Sequence, residues 1–344
     1  MVVARLMQFF GDATSMSEPK PSQVILSAPI AKAVEEFHDA STQRMAKGNA
    51  VDEPTEPLFH YTSERALFSI IESEQFWFTS IYHMDDTEEL TFGFNVARTL
   101  LQKAAESGGR LTRVFCEELA NEEELDKIKR LFEFYSVSFG VKDDAKQWKK
   151  YADEGRGIAL GLAPAFFKPL MTENPKPEEQ IFLGKVVYGD AQARARHSPV
   201  IDEAIDTLRL TQRGGSIKDG KEARVFFQHI AAEMTVETLW NSVTTKDSSW
   251  SHQNETRLLA LNYLKNPRLK IHNADKRPRL ELPQPLLKRN ITEVIVGPNA
   301  GTGVEVRVRA FLDRHGLAHV PVTRALIPMT AVYYDHRCHQ ILPR

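Results

Sequence analysis

The chain has 344 residues, 42% of them hydrophobic and 26% charged, with a net charge of -2 at neutral pH. That balance excludes a disordered or low-complexity chain and provides no global basic field for nucleic acid. Two cysteines, Cys116 and Cys338, cannot build a disulfide framework, and no apolar run reaches membrane-spanning length, so a cytoplasmic protein with no membrane partner is expected.

The first ten residues are apolar but lack a basic start and a small-residue cleavage pattern, so no signal peptide is expected; Met16 offers a second start. Residues 1–56 read as an arm: two Pro- and charge-rich linkers around one helix at 24–46. A single α+β domain is expected over 57–335, with a tail at 336–344. It opens with the strand Leu58-Phe59-His60-Tyr61-Thr62, a helix over 64–71, and a strand through Phe76-Trp77-Phe78-Thr79-Ser80. On the first strand, alternation puts His60 and Thr62 on one face.

Helices are expected over 88–106 and 111–132, then a weakly alternating strand over 134–140 containing Ser136 and Ser138. Asp143-Asp144 reads as the cap of a short helix in which Trp148 and Tyr151 are neighbours, three residues apart. Strands follow at 158–162 and 184–188, and a helical insertion at 197–245 broken near Gly214-Gly215. Glu255 precedes a strand at 257–261, and a strand at 291–296 ends in Gly297-Pro298. A helix over 304–315 leads to a last strand. Strands and helices do not alternate regularly, which favours α+β over a doubly wound sheet.

The glycine-rich run from Gly297 to Gly303 lacks the lysine of a phosphate loop, and Pro298 removes a donor, so a turn is favoured. His83, Asp85, Asp86, Glu88 and Glu89 could hold a hard cation, but acids opening a helix suit its dipole, and no metal site is expected.

These segments together resemble an uncharacterised bacterial family of unknown function, over about 58–335. Its motifs read here as His60-Tyr61-Thr62-Ser63, Trp77-Phe78-Thr79-Ser80, Asp85-Asp86-Thr87-Glu88-Glu89, Ser136-Val137-Ser138, Trp148-Lys149-Lys150-Tyr151-Ala152, Trp250 through Glu255-Thr256-Arg257, and Val294-Ile295-Val296-Gly297-Pro298. Asp85, Thr87 and Gln253 depart from the family pattern. The opening strand–helix–strand in turn resembles ADP-ribosyltransferases of the His-Tyr-Glu type.

That resemblance implies a split β-sheet core that uses NAD as substrate, in an ADP-ribosyltransferase or NAD glycohydrolase with a toxin or phage-defence role. It implies Glu255 as the catalytic carboxylate, and His60, Tyr61, Thr62, Thr79, Ser80, Ser136, Ser138, Trp148, Tyr151 and Arg257 around NAD. Trp148 and Tyr151 are alternatives for the nicotinamide stack. The acceptor, a protein or a nucleic acid, and the oligomeric state are left open by the residues. Two other readings stand beside this one: a non-catalytic nucleotide- or partner-binding module, and a metal-dependent nuclease using His83, Asp85, Asp86 and Glu89.

Overall fold

The structure, a computed structural model, describes residues 26–48, 54–83, 88–120, 132–168, 181–215, 217, 220–263, 271–272, 279–283 and 287–327. It is a mixed α+β chain that divides into two units. Among the described residues, no helix is long and apolar enough to cross a membrane.

The first unit is formed by the described parts of Met1–Ala50, Asp85–Glu133 and Val187–Ser249. It is helical: α1 Ala28–Gly48, α3 Glu88–Ser107, α4 Arg110–Leu119, α7 Asp190–Arg213 and α8 Gly220–Val243, with a small parallel pair of β6 Val187–Tyr188 and β7 Thr245–Lys246. Ile30, Phe37, Leu101, Phe115, Val200, Leu208, Phe226 and Ile230 form its core. Each such side chain, fully buried, contributes about 1.5–3 kcal/mol.

Polar groups also tie α1 to α8. The buried Glu237 carboxylate accepts from Ser41 Oγ at 2.8 Å and Arg44 Nε at 2.9 Å, and His38 Nδ1 lies 2.9 Å from Glu233. Of the insertion expected at 197–245, the described residues fall mostly in α7, which already begins at Asp190, and α8; Gly214 caps α7 and Thr245 begins β7.

The second unit is formed by the described parts of Val51–Met84, Phe134–Val186 and Trp250–Arg344. One sheet has the order β1-β4-β11-β12, from Leu58–Thr62, Ile158–Leu162, Ile291–Val296 and Val322–Arg324. The other has the order β5-β8-β3-β2-β10-β9, from Ile181–Lys185, Thr256–Tyr263, Phe132–Phe139, Gln75–Ser80, Arg279–Pro283 and Ile271–His272. The short α6 is Pro164–Phe167 and α9 is Val304–Arg314.

The sheets meet where β1 passes the end of β3: Phe59 N donates to Gly140 O at 3.0 Å and Gly140 N donates to Phe59 O at 2.8 Å. That bridge sets His60 beside Ser138. α2, Glu64–Ser73, starts at Ser63, whose side chain accepts from Ala66 N, and buries Leu67, Ile70 and Ile71.

Two sequence expectations differ from the structure. The helix expected over 111–132 ends by Leu119 where described, and Phe132 already belongs to β3. Residues 121–131 of that stretch lie outside the described residues. Strands β9 and β10 were not expected. β10 pairs antiparallel with β2, Leu280 opposite Phe78 and Glu281 opposite Trp77, and takes its conformation from that partner rather than from its own weak alternation.

Candidate functional site

β1 alternates as expected. Phe59 and Tyr61 are buried, while His60 and Thr62 are partly exposed on the other face. β2 alternates too. Phe76 and Phe78 enter the core, leaving Trp77, 43% exposed, and Thr79 together on the opposite face. Thr79 pairs directly with Ser136 of β3, so the two hydroxyls share a sheet face. α5, Ala145–Tyr151, begins where the Asp144 carboxylate accepts from Lys146 N and Gln147 N. These elements enclose a cleft of about 170 Å³ lined by His60, Tyr61, Trp77, Thr79, Ser136, Val137, Ser138, Gln147 and Tyr151.

His60 Nδ1 lies 3.0 Å from the Ser138 carbonyl oxygen. A carbonyl only accepts, so Nδ1 carries the hydrogen and Nε2 is left as an acceptor. The ring packs edge-on to Phe76 and tilted to Phe139, and burial holds its pKa below the usual histidine value. His60 is therefore neutral at pH 7.

Ser138 Oγ donates to Glu255 Oε1. The same carboxylate takes a fork from Arg257, Nε to Oε1 at 2.8 Å and a terminal nitrogen to Oε2 at 3.2 Å. Glu255 and Arg257 are each 2% exposed. Asn254, just before Glu255, has a left-handed backbone with φ 39°. Glu255 therefore sits one hydroxyl behind the cleft wall. Ser136 is 1% exposed, and its Oγ has no hydrogen-bond partner among the described residues. An orphaned buried hydroxyl costs about 1–3 kcal/mol, and a partner inside the cleft would recover it.

Trp148 and Tyr151 part company despite their spacing. Trp148 is fully buried, donates from Nε1 to Asp143 Oδ1 at 2.8 Å and packs edge-on to Tyr61, 5.0 Å between ring centres. It belongs to the core. Tyr151 lines the cleft, and Lys150 Nζ lies 5.2 Å from the centre of its ring. The Tyr61 hydroxyl is fully used, donating to Val141 O at 2.7 Å and accepting from Asp144 N at 2.9 Å.

Thr62 and Ser80 lie outside the cleft lining; Ser80 is buried, its Oγ 3.1 Å from His83 Nδ1. Of the other residues proposed around NAD, His60, Tyr61, Thr79, Ser136, Ser138 and Tyr151 come together at the cleft, and Glu255 and Arg257 stand behind it.

Trp77 and Gln147 line the cleft without having been singled out as site residues. The period-two pattern of β2 could have found Trp77, since it shares a face with Thr79. Gln147, which donates to Gln253 O at 2.9 Å, left no comparable signal.

Among the described residues no group of three or more His, Cys, Asp or Glu side chains could hold a metal ion. Asp85 and Asp86 lie outside the described residues, as do the side chains of Glu88 and Glu89.

The glycine-rich run after β11 is a turn locked to the loop after α5. Gly297 N donates to Gly157 O and Asn299 N to Gly155 O, each at 2.9 Å. Asn299 Nδ2 donates to Glu154 O at 2.8 Å.

A family model described as protein of unknown function (DUF2971) matches residues 147–258, about a third of the chain. The match runs from Gln147 at the cleft through Tyr151 to Glu255 and Arg257. No curated protein and no solved structure matches the chain.

Proposed function

We propose that the second unit is an NAD-using ADP-ribosyltransferase or NAD glycohydrolase whose cleft takes the nicotinamide end of the dinucleotide. One observation carries the reading: a neutral imidazole, two aromatic rings and a serine hydrogen-bonded to a buried carboxylate converge on one cleft. The bond between ribose and nicotinamide breaks through an oxocarbenium-like state, as in glycoside hydrolysis. A carboxylate held away from water stabilises that positive charge more than one in bulk solvent. Trp77 and Tyr151 line the cleft, and an aromatic ring attracts a flat cationic ring by about 0.5–2 kcal/mol. The cleft volume is below the 300–1,000 Å³ or so of sites that enclose a whole drug-sized ligand, so one end of the dinucleotide enters and the rest lies outside.

A second reading is a nucleotide-binding module without turnover. Arg257 favours it, because its fork on both Glu255 oxygens neutralises the charge that the chemistry needs.

The test is chromatographic assay of free nicotinamide with purified protein and NAD, run beside calorimetric NAD binding. Wild type is expected to release nicotinamide. Glu255→Gln and Ser138→Ala are expected to slow release by about 100-fold or more with NAD affinity largely kept. Binding without release selects the second reading, and neither binding nor release rejects both.

A further inference from the structure

We propose that the cleft selects hydrogen-bond donors and excludes phosphate, and that Ser136 Oγ is a group its ligand satisfies. The inference rests on the reading that the cleft binds a nucleotide, and concerns which part of it enters.

The polarity of the cleft follows from where its own hydrogens are spent. His60 gives its ring hydrogen to Ser138 O, so Nε2 accepts. Ser138 gives its hydroxyl hydrogen to Glu255, so the remaining lone pairs of Oγ accept. Gln147 spends one of its two amide hydrogens on Gln253 O and keeps the other beside its accepting side-chain oxygen. The Tyr61 hydroxyl is engaged on both sides. Among the described residues the lining includes no lysine or arginine, Lys150 Nζ lies 5.2 Å from the centre of the Tyr151 ring, and the imidazole is neutral.

A phosphate brings only acceptors and negative charge, so at His60 Nε2 and Ser138 Oγ it would face acceptors and lose its water. A riboside with free hydroxyls, or a ring carrying an amide N–H, brings the donors that His60 Nε2 and Ser138 Oγ lack. Ser136 adds a hydroxyl that is buried, without a partner among the described residues and on the cleft wall, and that can both donate and accept. Thr79 stands directly across the strand pair from it. The ligand therefore enters by an uncharged or cationic riboside end, with its phosphates outside.

Titration calorimetry with nicotinamide riboside, adenosine and inorganic pyrophosphate tests this on the full chain. Ser136→Ala breaks no side-chain hydrogen bond among the described residues, so it is expected to fold with unchanged or higher thermal stability. A riboside should bind wild type, bind Ser136→Ala about five- to tenfold more weakly, and resist displacement by pyrophosphate. Equal binding to the variant, displacement by pyrophosphate, or no binding by either riboside overturns the inference. If adenosine binds in a Ser136-dependent way and nicotinamide riboside does not, the inference stands and the NAD reading falls. If NAD binds and is cleaved with no effect of Ser136→Ala, the NAD reading stands and the inference falls.

Discussion

The Tyr61 hydroxyl joins a strand to a loop with two hydrogen bonds, one donated to Val141 O and one accepted from Asp144 N. The residue is 5% exposed, and burial raises its pKa further above the ordinary tyrosine value, so it keeps its proton at any physiological pH. Tyr61→Phe keeps the packing on Trp148 but leaves a carbonyl and an amide without this partner. The expected cost is about 1–3 kcal/mol, read as a lower urea midpoint with an unchanged slope. Ligand affinity should fall less than with Ser136→Ala, because the Tyr61 hydroxyl is already occupied. His60 illustrates the complementary case, in which one ring hydrogen spent inside the protein determines what the other nitrogen offers to a ligand.

Between α5 and β4, the chain turns through Asp153, Glu154 and Gly155, all with positive φ. This turn carries Tyr151 on one side and locks onto the end of β11 on the other. A Cβ at Gly297 would lie 2.2 Å from Gly155 O, and one at Gly157 would lie 2.2 Å from Thr62 O. Both clashes are with backbone, so no side chain can rotate away. Gly297→Ala is expected to destabilise the second unit by about 1–3 kcal/mol and to weaken ligand binding, since Tyr151 ends the helix that leads directly into the displaced loop. Parallel thermal unfolding and calorimetric titration would show both effects; a variant as stable as wild type would contradict this account of the turn. The phosphate-loop reading of Gly297–Gly303 is disfavoured in the same terms, because the amides of Gly297 and Asn299 are spent on this loop.

For the molecule as a whole, the pH dependence of stability should be shaped by histidines in the helical unit. His197 on α7 is fully buried, both ring nitrogens lack a partner among the described residues, and burial lowers its pKa to about 4. Below the ordinary histidine value of about 6.5, the unfolded chain takes a proton that the folded one refuses. The contribution of His197 is therefore complete above that value and is lost as pH falls toward 4, by up to about 1.4 kcal/mol per pH unit. His38 acts in the opposite sense. Its hydrogen bond to Glu233 raises its pKa, so its contribution is present below the ordinary value and fades as pH rises through the raised one. His197→Leu is expected to flatten the slope between pH 4 and 6.5 in urea titrations without loss of stability at pH 7.5. An unchanged slope would show that His197 is not the titrating group.

Periodicity and capping are local, so they were legible in the chain itself. The alternation of His60 and Thr62, the Asp144 cap, the break at Gly214-Gly215 and the Gly297-Pro298 stop all depend on neighbours a few residues away. The α+β class followed from the irregular order of such elements. Contacts across long sequence separations were not legible. Spacing alone could not decide that Trp148 enters the core while Tyr151 faces the cleft, because both lie on one stretch of helix and only the surfaces packed against α5 distinguish them. Nor could it place Glu255 behind Ser138, 117 residues away. Sheet pairing sets β8 beside β3, and that adjacency, rather than any local pattern, brings the carboxylate to the cleft wall.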